Sequence, residues 1–165
     1  MGAITLDRSP IRNSSCLCGA VRGRMEGQPS RLSLCHCTSC QKSFGSAFAS
    51  YALFKSEQVE YTVENASPMH TYSDTTPESG HILDRSVCSR CGSNVKVAWH
   101  HDPGWVFVPV GTIDGDKTDL VPNTEVWCKH RPHWLGVIDG AQLFETEVDQ
   151  GASHIQKLPQ KIAHR

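Results

Sequence analysis

Seven of the eight cysteines fall into three tight groups: Cys16-Leu17-Cys18, Cys35-His36-Cys37-Thr38-Ser39-Cys40 and Cys88-Ser89-Arg90-Cys91. Free cysteine is usually a buried, isolated residue, so three thiols within six positions require a shared reason. A divalent metal supplies one, because thiolates bind Zn²⁺ at about 2.3 Å and one ion gathers several of them. A structural zinc is usually closed by four protein ligands, whereas a catalytic zinc keeps one position for water or substrate. Seven clustered sulfurs therefore read as four plus three, a closed site and an open one. Spacing alone does not divide them. Cys16 and Cys18 combine arithmetically as well with Cys35 and Cys37 as with Cys88 and Cys91. Cys128 has no partner nearby and reads as a buried or free thiol.

Eight cysteines also satisfy four disulfides by parity. The N-terminal stretch, however, lacks the apolar core of a secretory signal, and no run approaches the roughly 18 apolar residues of a membrane span. A soluble protein of the reducing cytoplasm is expected, and Cys-X-Cys neighbours are poorly placed to bridge each other. Metal is therefore preferred to a disulfide framework. Clustered thiolates also bind iron, but the Cys-X-Cys spacings fit ferredoxin patterns poorly. With 16 Lys and Arg against 17 Asp and Glu, the net charge of −1 argues against a general nucleic-acid binder. No nucleic acid or membrane partner is expected, and homo-oligomerisation is left open.

The 165 residues suit one domain with a real core, although 38% hydrophobic content is lean and 13 Gly with 9 Pro imply many turns. Metal cross-links would tie such a chain together. Side chains at i and i+2 of a strand share a face, so an extended Cys16-Leu17-Cys18 points both sulfurs one way and Leu17 into a core. Gly19 then turns the backbone. Residues 21–25 alternate, as do residues 31–37, where Leu32 and Leu34 oppose Cys35 and Cys37. Cys40 follows Cys37 at the spacing of a zinc knuckle or a helical turn, which the Thr38 and Ser39 hydroxyls can cap. Residues 44–46 end that turn.

Residues 47–54, 58–63 and 69–72 read as strands and 73–80 as a surface loop. A strand over 81–87 leads into the knuckle Cys88-Ser89-Arg90-Cys91-Gly92, and 94–99 with 105–110 make a hairpin. Residues 125–128 read as a final strand. The expected class is mostly β, with short antiparallel strands and little helix. Residues 1–14 read as a flexible lead-in, 15–145 as the zinc-binding domain and 146–165 as a tail.

The series Cys-Leu-Cys-Gly-Ala-Val, Cys-His-Cys-Thr-Ser-Cys-Gln-Lys-Ser-Phe-Gly-Ser and Cys-Ser-Arg-Cys-Gly-Ser resembles the glutathione-dependent formaldehyde-activating enzyme family. Val110-Gly111-Thr112-Ile113-Asp114 and residues 127–134 also resemble its later blocks, so the likeness spans roughly 15–145. The family includes centromere protein V as a relative with a different role. The resemblance implies a zinc-binding β-tent fold with two zinc ions. Cys16, Cys18, Cys88 and Cys91 would hold the structural ion, and Cys35, Cys37 and Cys40 the catalytic one. It also implies a carbon–sulfur lyase with glutathione as co-substrate, acting on a small-molecule thiol adduct such as S-(hydroxymethyl)glutathione.

A non-catalytic zinc-binding interaction module is the alternative, and a fourth protein ligand at the triad, such as His36, would support it. His36 alternates away from its cysteine neighbours, which places it in the core or beside the ligands rather than among them. Ser43, Phe44, Gly45 and Ser46 follow the triad directly and are expected to line the pocket. Lys42, Arg131 and Trp134 are weaker candidates for meeting glutathione or covering the site. His100 and His101 sit in a solvated turn. A redox enzyme would need Cys128 as its nucleophile.

Overall fold

The computed structural model describes residues 10–64 and 69–148. In chain order its first strands are β1 (Ile11–Ser15), β2 (Val21–Glu26) and β3 (Arg31–Cys35), followed by helix α1 (Thr38–Phe44). Then come β4 (Ala49–Lys55), β5 (Val59–Val63), β6 (Met69–Asp74), β7 (Leu83–Cys88) and β8 (Asn94–Trp99). Strands β9 (Trp105–Pro109), β10 (Thr124–Val126) and β11 (Gln142–Leu143) complete the set. The class is mostly β, as expected.

Alternation decides which side of each strand faces inward. In β2, Val21, Gly23 and Met25 are buried while Arg22, Arg24 and Glu26 are exposed. This strand is the centre of a small antiparallel sheet of order β1-β2-β5. Strand β1 begins at Ile11, inside the stretch read as a flexible lead-in, because its backbone pairs along β2 from Glu26 to Arg22. Residues 1–9 of that lead-in, and 149–165 of the tail, lie outside the described residues.

The larger sheet has the order β11-β10-β3-β4-β9-β8-β7-β6. The hairpin expected over 94–110 is present, with β8 antiparallel to β9. One expectation needs correction: β10 lies parallel to both β3 and β11. Parallel neighbours need long crossovers, and here the crossover from β3 to β10 runs through most of the domain. Strand β10 is therefore not the last, because β11 adds to its outer edge.

Met25 of the small sheet meets Ala52, Phe54, Val106 and Val108 of the large one, forming the core between the sheets. Met25 and Phe54 are fully buried, worth about 1.5–3 kcal/mol each. A second cluster lies around Cys16, Val21, Cys88 and Val95, and a third around Cys35, Cys37, Cys40 and Tyr51. Both cysteine groups thus contribute buried residues to packed clusters.

Leu17 corrects another expectation, being 89% exposed. Cys16 to Gly19 form a tight turn closing the β1–β2 hairpin rather than a strand. Cys16 N–H donates to Val21 O at 2.9 Å and Gly19 N–H to Cys16 O at 2.9 Å. The turn buries Cys16, sets Cys18 beside it at the exposed rim and leaves Leu17 outside. Strand β6 extends two residues into the stretch read as a surface loop, through a buried Asp74, and residues 75–80 are irregular and mostly exposed.

Candidate metal centres and active site

Strand β3 delivers Cys35 at its last position, where its Cα pairs with Ala49 of β4 and Val126 of β10. The chain then leaves the sheet, tethered by His36 N–H to Val126 O at 3.0 Å. The helix is capped differently from expectation. Cys37 Sγ, not a Thr or Ser hydroxyl, accepts the Cys40 N–H at 3.3 Å. Gly45, at φ +57°, closes the helix by donating to Gln41 and Lys42 carbonyls. The resulting turn places Cys35, Cys37 and Cys40 Sγ within 4.8 Å of one another, all buried. No other protein ligand completes that set among the described residues.

Two further side chains address the triad. Tyr51 Oη lies 3.6 Å from Cys40 Sγ, and Arg85 Nη1 donates to the same sulfur at 3.8 Å. Arg85 is held by Asp74, whose Oδ2 accepts from Nε and Nη2 at 3.1 Å each. Hydrogen bonds from Cys35 and Cys37 hold the Cys40 thiol far below its ordinary range, with Arg85 reinforcing them. Those same contacts push Cys35 well above its range. At Cys37 the bond from Cys35 lowers, but the bond to Cys40 and burial win and push it up to about 12. Three buried thiols this close oppose one another's ionisation, and a divalent cation would let all three ionise together. The three-sulfur set fits zinc.

The second centre joins two turns that are distant in sequence. Cys16, Cys18, Cys88 and Cys91 sulfurs also lie within 4.8 Å of one another. Cys18 Sγ is 3.6 Å from Cys16 Sγ and 3.7 Å from Cys88 Sγ. Gly19 and Gly92 hold φ of +76° and +73°, left-handed values that only glycine adopts cheaply, and each tightens one knuckle. Backbone N–H groups point at the sulfurs as well, Val21 N–H reaching Cys16 Sγ at 3.3 Å. Leu17 N–H to Ser93 Oγ at 3.1 Å clamps one turn to the other. Hydrogen bonds from Ser93 draw Cys91 down to about 5. Four sulfurs make a closed set, the ligand number that fits structural zinc.

A cavity of about 70 Å³ opens over the three-sulfur group. Its walls include Tyr51, Val97, Trp99 and Phe107, so the space beside the sulfurs is largely apolar. Trp127 forms part of the wall at φ +60°, the one non-glycine left-handed residue among those described. That conformation costs roughly 1–2 kcal/mol. It is held by Trp127 N–H donating to Thr146 O at 2.9 Å and by Lys129 Nζ, 4.9 Å from the ring centroid.

Residues 11–130 match the family described as glutathione-dependent formaldehyde-activating enzyme. The chain belongs to that family. No curated protein matches it. In fold it is similar to the crystal structure of a Rhodobacter sphaeroides structural-genomics target, with a TM-score of 0.50 and 18% identity. That likeness covers 65% of this chain and 92% of the other.

In this member of the glutathione-dependent formaldehyde-activating family, the stretch after the triad does not line the cavity over the sulfurs. Ser43, with Lys42, borders a shallower polar groove alongside Tyr72, Asp74 and Glu78. Phe44 packs edge-on against Tyr51 at 5.5 Å, Gly45 caps the helix, and Ser46 N–H donates to Gln41 O at 3.2 Å. Trp134 is 68% exposed and lines none of the cavity. Tyr51, Asp74, Arg85 and Glu125 escaped the sequence reading. Tyr51 and Glu125 had one signal, a polar group in a short buried strand, whereas Asp74 and Arg85 sit in strands of mixed polarity and had none.

His36 is fully buried, and its Nε2 lies 3.0 Å from Glu125 Oε2. It is not within the three-sulfur set. Glu125 also accepts from Ile138 N–H at 2.9 Å, and Arg131 Nε lies 3.3 Å from its Oε2. Arg131 therefore braces the triad's neighbour instead of reaching the cavity. Cys128 is also near His36 and Glu125, but Arg131 already places a fixed positive charge against that carboxylate. Burial pushes the Cys128 thiol up to about 11, which makes it a poor nucleophile and counts against the redox reading.

Burial raises the Glu125 pKa, but His36, the Ile138 N–H and Arg131 outweigh it and hold the carboxyl below its ordinary range. A depressed pKa in the folded state means this stabilisation is complete above the ordinary carboxylate pKa and fades as pH falls through the folded value. Glu125→Gln is expected to destabilise the fold by about 3 kcal/mol, because Arg131 is left buried without its counter-charge. Urea unfolding at neutral pH measures it. An unchanged midpoint would mean the network carries no net stability.

Proposed function

We propose that this chain is a zinc-dependent carbon–sulfur lyase acting on an adduct of glutathione or another thiol, in the manner of an S-(hydroxymethyl)glutathione synthase. The observation that carries this reading is a buried group of three sulfurs, with no further protein ligand, opening directly onto a cavity. Cys35, Cys37 and Cys40 would hold one zinc, and Cys16, Cys18, Cys88 and Cys91 a second, structural ion. A zinc ion bound by the triad would keep a substrate thiol deprotonated at neutral pH.

The protein's own groups then have definite tasks. Arg85, fixed by Asp74, offsets negative charge at Cys40. Tyr51 fixes the orientation of the same sulfur, and the walls formed by Val97, Trp99 and Phe107 restrict water around the reacting carbon. In the synthetic direction a C–S bond forms between thiol sulfur and aldehyde carbon, and the thiol proton ends on the aldehyde oxygen. The reverse releases both. All eight cysteines are free, which supports a reducing cytoplasmic setting. Among the described residues no helix is long and apolar enough to cross a membrane.

Metal analysis combined with a screen of glutathione adducts, S-(hydroxymethyl)glutathione included, tests the reading. The expected result is about two zinc ions per chain and turnover of at least one adduct. A zinc-loaded protein that turns over none would instead be a non-catalytic zinc-binding interaction module.

A further inference from the structure

Strand β3 carries a second chemical group into the cavity. Arg31, Ser33 and Cys35 alternate along it and all three line the same space. At about 3.3 Å per residue, the Cα of Arg31 stands about 13 Å from that of Cys35. The cavity thus has a thiolate end and a guanidinium end.

Arg31 Nε is buried without a hydrogen-bond partner. A guanidinium offers N–H donors in a rigid fork that matches a carboxylate, and leaving one buried and unused is costly. Such a donor is a reserve for an acceptor that arrives from outside. Burial weakens the hold of Arg31 on its proton, while the charge of Glu147 strengthens it. Glu147 lines the cavity too, in an irregular segment beyond β11. Its carboxylate is the chemical likeness of the expected ligand.

We propose that Arg31 binds a carboxylate of the thiol substrate, and that Glu147 provides the counter-charge until substrate displaces it. The substrate class is a peptide-like thiol whose carboxylate lies well away from its sulfur, in preference to a small neutral thiol. Displacement of Glu147 also answers a question of size. The 70 Å³ now open is far below the roughly 300–1,000 Å³ of a site for a ligand of that bulk. The segment carrying Glu147 must move aside for one to enter.

The proposal rests on the lyase reading above, and the test separates the two. Zinc-loaded full-length protein is titrated calorimetrically with glutathione and with glutathione diethyl ester, which keeps the thiol and removes both carboxylate charges. Wild type is expected to favour glutathione over the diester by about ten-fold or more, the worth of a charge-assisted hydrogen bond. Arg31→Met is expected to weaken glutathione and spare the diester, lowering that ratio by about ten-fold. Glu147→Gln is expected to tighten glutathione several-fold relative to the diester. The diester reports in each variant whether the thiol end of the site is intact. An Arg31→Met protein that keeps the wild-type ratio overturns the anchor alone. A wild-type protein that binds neither thiol overturns the lyase reading and the anchor together.

Discussion

Cys40→Ser is expected to abolish turnover and to lower bound zinc from about two ions per chain to about one. A serine hydroxyl stays protonated near neutral pH and is a weak zinc ligand, so two thiolates would be left to hold the ion. Cys40 is also where the polar surroundings of the triad converge, with Tyr51 Oη at 3.6 Å and Arg85 Nη1 at 3.8 Å. Substitution removes a thiolate ligand and the sulfur that both groups contact. Loss of an outer partner of a metal ligand typically costs about 10–100-fold, so loss of the ligand should exceed a hundred-fold. The fold should survive. Cys40 lies in a seven-residue helix at the margin of the sheet, and the other sulfur group is untouched. Inductively coupled plasma analysis and an adduct assay on one sample read both quantities. Full activity in the variant would remove the triad from the mechanism.

Cys88→Ala should produce the opposite pattern, with stability as its main casualty. Cys88 is fully buried at the end of β7, and its sulfur lies 3.7 Å from that of Cys18 in the β1–β2 turn. The four-sulfur group therefore ties the small sheet to the far side of the large one. Structural zinc in small domains contributes folding energy directly, with apparent values of about 10–16 kcal/mol in isolated zinc-finger peptides. This domain has its own core between the sheets, so the net loss should be smaller. Against a typical total of about 5–15 kcal/mol, a loss of several kcal/mol would still remove most of the stability. Thermal unfolding is expected to lose cooperativity or shift far downward, accompanied by loss of one zinc. Unchanged unfolding with both ions retained would refute a structural role. Together the two variants separate this four-plus-three division from the alternative that joins Cys16 and Cys18 to Cys35 and Cys37.

The sulfur groups were legible in the chain because ligand spacing of this kind is encoded locally. Cys88 and Cys91 need only a glycine-closed turn, and Cys37 and Cys40 only one helical turn, to bring two sulfurs together. Strand alternation was equally local, and 94–99 with 105–110 formed the hairpin their pattern and turn residues implied. Leu17 was misjudged because Cys-X-Cys fits a strand and a tight turn equally well. In a strand the face opposite the sulfurs can pack on a core, whereas in the turn closing the hairpin it meets solvent. Thr38 and Ser39 were misjudged as caps because a sulfur one residue earlier took that role.

What the sequence determined by itself is that seven sulfurs fall into groups with metal-binding spacing, that the chain is mostly β, and that its motifs resemble one family. Only the tertiary structure decided which turns meet, since Cys18 and Cys88 belong to different sheets and come together where the two sheets pack. It also decided what surrounds the triad. Tyr51, Asp74, Arg85 and Glu125 come from four different strands, and no spacing rule links them to Cys40 or His36. Local geometry is written in neighbouring residues, whereas the electrostatics of a buried site depend on groups that become neighbours only when the chain closes on itself.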